Sequence, residues 1–238
     1  MQFAKIGIIQ GRLSEPVNGH IQEFPTDWRN EFDLLERCGL THIEWLITKG
    51  TSKSNPAFDD SITLEGLPIS SYCADTLVDS QITNEEYLKE HLLPICQSAV
   101  RNKIKNITIP LLEDSSVEDQ NKRETFKSLI VEYAQEYPDL IFSFECELFI
   151  QGLEEILNLS DNFCVTYDTG NITSYGIEHN EYIDAFYERI NNVHLKDRTF
   201  DARTVYPSTG DTNFKLIFDK LSLAGYNGLY TLQTARGR

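Results

Sequence analysis

Positive charge is scarce in this chain. The sequence has 21 Lys and Arg against 37 Asp and Glu, a formal net charge of −16. A surface that acidic repels nucleic acid and anionic membrane, so neither is an expected partner. It leaves room for a small anionic substrate, because a few local Arg or Lys reverse the field inside a cleft; solubility alone also explains the excess. Paired cysteines are missing. Cys38, Cys73, Cys96, Cys146 and Cys164 are odd in number and form no CxxC. That argues against a disulfide framework or a structural zinc site and fits reduced thiols in a cytoplasmic protein. Long apolar runs are missing as well. Nothing approaches the ~20 apolar residues of a membrane helix, and MQFAKIGIIQG lacks a signal-peptide layout. No low-complexity or Pro/Gly-rich linker divides the 238 residues. No GxGxxG follows the first β-branched run and no GxxxxGK[ST] occurs, so nucleotide-binding open sheets lose ground.

What is present is a steady alternation, with 40% hydrophobic residues to fill one core. Short β-branched runs at 5–10, 41–47, 67–75, 106–112, 140–148, 163–171, 191–197 and 228–234 read as strands. Amphipathic segments at 27–39, 83–103, 116–138, 152–160, 180–190 and 212–225 read as helices. In the first helix Trp28, Phe32 and Leu35 fall near helical spacing and Gly39 suits the stop. Thr83 and Ser116 are the expected caps of the second and third, with Glu86 placed as in a capping box. The Ser/Asn/Gly-rich region 49–66 reads as loop. Alternating β and α argues for a parallel sheet. Eight units of about 30 residues are the βα repeat size, so a single-domain (β/α)8 barrel over 1–238 is expected.

In such a barrel, function sits where strands end and βα loops begin. The polar residues there are Gln10, Arg12, Glu44, Asp75, Glu113, Glu145, Glu147, Asp168, Asn171, His194, Lys196, Gln233 and Arg236. Glu145, Asp168, His194 and Gln233 fall on the fifth to eighth strands at gaps of 23, 26 and 39 residues. Two carboxylates, an imidazole and an amide oxygen suit manganese, zinc, cobalt or iron, whereas magnesium prefers oxygen alone. The bland readings are a core histidine, a turn-forming Asp before Thr-Gly-Asn and ordinary solvated strand ends.

GIIQGRLS, IEW, FECEL, YDTGN, VHLKDR and STGDTNFKLIFDKLSLAGYNGLYTLQ resemble the xylose isomerase-like TIM barrels over essentially the whole chain. That superfamily includes sugar and sugar-phosphate isomerases and epimerases, and also endonuclease IV. The resemblance implies a cytoplasmic metal-dependent isomerase or epimerase of a sugar, sugar phosphate or related polyhydroxy carbonyl compound. It implies Glu145, Asp168 and His194 as ligands of a divalent ion (Mn, Mg, Co or Zn), and proton transfer through a metal-bound enediolate. The usual fourth ligand is a glutamate, and this chain has Gln233 there. Gln can ligate through its amide oxygen but cannot accept a proton. The ligand set would carry two negative charges rather than three. A two-base reaction would then need another base; Glu147 shares the Glu145 strand face, and Glu44 and Asp75 stand at other strand ends. A one-face aldose–ketose shift needs Glu145 alone.

Three readings stay open: the isomerase, a non-catalytic sugar-binding protein with a degenerate site, and a repair nuclease like endonuclease IV. The charge of −16 and only five histidines weigh against the last. Lys196 either stabilises an enolate or pairs with Asp197. Gln10, Arg12, Glu44, Asp75, Asn171 and Arg236 are candidate substrate contacts, Arg236 with Arg203 or Arg12 as a phosphate holder. Trp45 and Tyr72 are either a wall for a sugar ring or core packing. Cys146 and Cys164 read as small core residues. A homo-oligomer is possible.

Overall fold

The computed structural model describes residues 5–51 and 54–234. Its strands are β1 (Lys5–Ile9), β2 (Ile43–Leu46), β3 (Ile69–Cys73), β4 (Asn106–Leu111), β5 (Ile141–Cys146), β6 (Phe163–Asp168) and β7 (Ile190–Leu195), then the short β8 (Asp197–Arg198) and β9 (Thr204–Val205), and last β10 (Leu229–Leu232). Eight of them close into a barrel in the order β1-β10-β7-β6-β5-β4-β3-β2. The registered pairs β1–β10, β10–β7, β7–β6, β3–β4 and β4–β5 are all parallel. The helices are α1 (Asn30–Arg37), α2 (Glu85–Arg101), α3 (Gln120–Glu136), α4 (Ile150–Leu157), α5 (Thr169–Ser174), α6 (His179–Phe186) and α7 (Phe214–Leu223). All eight expected strands are present. β4 is buried from Ile107 to Leu111, as a parallel strand covered on both faces should be.

The chain forms two compact units. The first takes in β1 up to Ile43 and resumes at Val165. In it Ile8, Leu35 and Ile43 form a buried cluster. Tyr167 stacks on Tyr182 at 5.3 Å, and Tyr182 meets Phe186 edge-on at 4.9 Å. The loop after β1 is tied to α1 by a buried carboxylate. Glu31 accepts N–H bonds from Gly11, Leu13 and Ser14 at 2.9, 3.2 and 3.1 Å, and the Ser14 hydroxyl at 3.0 Å. Gly11 sits at φ +83, and a Cβ there would lie 1.7 Å from the Gln22 carbonyl oxygen, so only glycine fits.

The second unit runs from Glu44 to Cys164. Its core carries a run of edge-on rings: Phe126 on Phe144 at 6.0 Å, Phe144 on Phe163 at 5.1 Å and Phe142 on Phe163 at 6.3 Å.

Several local expectations shift. The cap of α2 is Asn84, not Thr83, because the Asn84 amide oxygen reaches the N–H groups of Glu86 and Tyr87. The cap of α3 is Asp119, not Ser116: a short Glu113–Ser115 turn intervenes, and Asp119 accepts from the Lys122 N–H. The sixth strand stops at Asp168, and the turn expected at the end of that segment is the start of α5, Thr169–Ser174. The β8–β9 hairpin had no signal in the periodicity, since each strand is two residues long.

Candidate functional site

Three adjacent strand ends of the first unit carry polar side chains on one face. Parallel register places Asp168 on β6 beside His194 on β7, and His194 beside Thr231 on β10. Gln233 continues β10 by giving its N–H to the Leu195 carbonyl at 3.1 Å. Two residues on from Thr231, it shares the face of His194. The alternation is visible one step back, where Thr231 bonds to Asn192 at 2.9 Å. Both Asp168 and His194 are buried, at 2% and 0% exposure. The Gln233 amide oxygen is buried and has no hydrogen-bond partner among the described residues.

The Asp-Thr-Gly-Asn run holds this geometry. Asp168 caps α5, its Oδ1 accepting the Asn171 N–H at 2.8 Å. The turn-forming reading of Asp168 is therefore correct as far as it goes. Thr169 Oγ1 lies 3.1 and 2.7 Å from the His194 and Lys196 carbonyl oxygens and accepts the Lys196 N–H at 3.0 Å. Gly170 has no side chain because a Cβ would press on Lys196 Cγ at 3.0 Å. Asn171 is buried and its Oδ1 lies 3.4 Å from Lys196 Nζ.

Lys196 does not pair with Asp197. Its ammonium lies 3.3 Å from Asp168 Oδ2. Asp197 faces the following loop, accepting the N–H groups of Thr209, Gly210 and Thr212 at 3.0, 2.9 and 3.2 Å. Its role is to pin residues 199–212.

Glu145 is the next-to-last residue of β5, in register with Pro110 on β4, and is 3% exposed. Glu145, Asp168 and His194 each offer one ligand atom, and these atoms lie within 4.8 Å of one another. A carboxylate pair with an imidazole is the donor chemistry of a divalent transition metal. The donor set therefore fits a cation, with the partnerless Gln233 oxygen as a further neutral donor in the first unit.

Glu147 is half-buried and accepts the Glu113 N–H at 3.1 Å. Glu44 is buried on β2 and accepts the Thr108 hydroxyl at 2.7 Å. Asp75 is half-buried and opens the one-turn helix Asp75–Leu77. Gln10 is buried just past β1, and its carbonyl accepts from Arg12 at 3.2 Å. Arg236 lies outside the described residues. Arg203 is 73% exposed and pairs with Asp201, a surface ion pair. Trp45 and Tyr72 are fully buried and bond to Asn55 and Ser98, so they are packing, not a ring wall. Cys146 is a core thiol that burial pushes up to about 12, and it stays unreactive.

Sequence reasoning missed Glu31 and His179. Glu31 falls on the stripe of Trp28 and Leu35, so a charge on an apolar helix face was its signal. His179 meets the Tyr167 hydroxyl through Nδ1 and Thr173 Oγ1 through Nε2 at 3.0 Å. Burial pushes its imidazole down to about 4. It is a half-buried histidine outside the ligand cluster.

No family model matches the chain, and no curated protein sequence matches it. Solved structures do. The IOLI protein with a bound zinc atom aligns with a TM-score of 0.71 at 12% identity, over 98% of this chain and 89% of its own. A sugar phosphate isomerase/epimerase from Parabacteroides distasonis aligns with a TM-score of 0.69 at 17% identity, over 98% and 88%. The 3-keto-D-glucoside 4-epimerase of E. coli gives 0.67 at 14% identity, over 99% and 93%. The fold is thus the one shared by xylose isomerase-like TIM barrels.

Proposed function

We propose that this protein is a divalent-cation-dependent isomerase or epimerase of a sugar, sugar phosphate or related polyhydroxy carbonyl compound. The observation that carries the reading is the buried Glu145–Asp168–His194 cluster, with ligand atoms within 4.8 Å. The names of the structural neighbours support the same substrate class. Glu145, Asp168, His194 and the Gln233 amide oxygen are the residues that would hold the ion. A divalent ion held there would supply Lewis acidity at the carbonyl oxygen, which would make the neighbouring C–H proton more acidic.

The chain's own residues divide the remaining work. The Glu145 carboxylate takes the proton from the carbon beside the carbonyl. Gln233 has no basic atom to serve the opposite face. The assignment that needs fewest groups has Glu145 return the proton on the same face to the neighbouring carbon, an aldose–ketose shift. Glu147 is the candidate second base if the product is an epimer. The Lys196 ammonium, which lies 3.3 Å from Asp168 Oδ2 and 3.4 Å from Asn171 Oδ1, would donate to the oxygen that gains negative charge. Gln10, Arg12, Glu44, Asp75 and Asn171 are the proposed substrate contacts.

The test is deuterium uptake from heavy water into a panel of ketoses, ketose phosphates and keto-glycosides, with each of Mn, Co, Zn and Mg. Exchange at the carbon beside the carbonyl that requires a cation and is lost in Glu145→Gln supports the reading. Gln233 favours one competing reading, a sugar-binding protein that has lost turnover. Saturable sugar binding without exchange would establish that alternative.

A further inference from the structure

A groove lies wholly within the second unit. The reason it exists is a missing helix. Between β2 and β3 the described residues carry only the single turn Pro56–Phe58. The flank of α2 that a barrel helix would cover is left beside a loop. The loop is held firmly: Asn55 accepts the Trp45 indole N–H and the Ala57 N–H at 2.9 and 3.0 Å and donates to the Leu46 carbonyl at 2.9 Å. The result is a cavity of about 420 Å³ between loop and helix, within the ~300–1,000 Å³ of small-molecule sites.

Its lining carries two carboxylates, Asp60 and Glu90, against one cation, Arg101. Thr76 lines the groove at 2% exposure, and its Oγ1 is buried with no partner among the described residues. Its backbone is fixed, since its N–H goes to the Ile47 carbonyl and its carbonyl accepts the Tyr87 hydroxyl, both at 2.8 Å. Pro94 lies inside α2 and has no N–H to give the Glu90 carbonyl. Glu90 is exposed at the groove edge, and no ion pair is formed by it among the described residues; the adjacent Lys89 pairs with Glu85 and Glu86. Arg101 does not neutralise it, being ion-paired to Asp60 and bonded to the Ala57 carbonyl. Phe58 and Pro94 add apolar surface, and the His91 ring is steadied against Tyr87 at 4.3 Å.

We propose that this groove is a second ligand site and takes a small organic cation, a primary amine carried on a compact ring. The ammonium supplies N–H donors to Thr76 and Glu90 and positive charge to the Glu90 carboxylate. The ring packs against Phe58 and Pro94. The net charge of −16 raises the local concentration of such a ligand. The site is independent of the isomerase reading and of any cation in the Glu145 cluster.

The experiment titrates benzylamine, benzyl alcohol and benzoate into the ¹⁵N-labelled full chain and follows amide shifts. Benzylamine should saturate shifts at Phe58, Thr76 and His91 and bind about tenfold more tightly than benzyl alcohol, with benzoate weaker still. Glu90→Gln should weaken benzylamine about tenfold, and Thr76→Val, which keeps the side-chain shape, several-fold, with melting temperatures near that of the parent. Equal binding of the alcohol, no saturable shift, or an affinity unchanged by Glu90→Gln would overturn the proposal.

Discussion

Lys196 reaches back to Asp168, a residue 28 positions earlier, and places its ammonium 3.3 Å from Oδ2 while the Asn171 N–H holds Oδ1 at 2.8 Å. Both oxygens of one proposed ligand are thereby oriented before any cation arrives. The arrangement gives Lys196 two effects on cation binding, and they oppose each other: it orders the carboxylate, and it repels a positive ion.

Lys196→Met separates these effects. Without a cation, removing the partner of a buried carboxylate should lower stability by about 3 kcal/mol. Adding Mn²⁺ should restore more stability to the variant than it adds to the parent, because the competing ammonium is gone. Thermal unfolding of both proteins with and without Mn²⁺ checks this. A smaller Mn²⁺ gain in the variant would mean that ordering dominates.

The donor set itself predicts a metal-dependent melt. A cation at 100 times its Kd should add about 2.7 kcal/mol to chelator-stripped protein, and His194→Ala should abolish that gain. Gln233→Glu supplies a third carboxylate and should tighten Mn²⁺ at least about tenfold, worth about 1.4 kcal/mol. Calorimetric titration of the three proteins measures it. Unchanged affinity in Gln233→Glu would place residue 233 outside the ligand set.

Glu31 secures the β1–α1 loop with four hydrogen bonds to backbone and hydroxyl donors. Glu31→Ala leaves buried N–H groups unsatisfied and should cost about 3 kcal/mol or more. Hydrogen exchange should show protection lost first at Gly11, Leu13 and Ser14. A global loss with no local pattern would indicate that the carboxylate is not what holds the loop.

His179 predicts a slope in stability with pH. Its imidazole lies at about 4 in the folded protein against 6.5 for the ordinary group. Between those values the unfolded chain binds a proton that the folded chain refuses. Stability therefore falls as pH drops from about 6.5 toward 4, by up to roughly 3 kcal/mol, and this contribution is flat above 6.5. His179→Gln should show a shallower decline than the parent across that window in denaturant unfolding.

The barrel was readable because its signals are local. Eight β-branched runs and intervening amphipathic segments depend on neighbours within one turn or one strand, and all eight strands stand where expected. The chosen strand ends were also readable, since alternation places polar residues at predictable positions. Local competition was harder. Asn84 outcompetes Thr83, and Asp119 outcompetes Ser116, because a cap is decided by which oxygen reaches the free N–H groups.

Partnership between distant residues was beyond the linear pattern. Lys196 stands next to Asp197 in sequence, yet the two side chains leave the β7 end in different directions, one to Asp168 and one to the 199–212 loop. Trp45 and Tyr72 had equal standing as a sugar wall or as core until their burial decided it. Composition, periodicity and the Asp-Thr-Gly-Asn and His-Leu-Lys strings by themselves determined a (β/α)8 barrel with ligand-type residues on its later strands. The tertiary structure decided which of those residues meet, because parallel register and burial are set by strands and helices far apart in the chain.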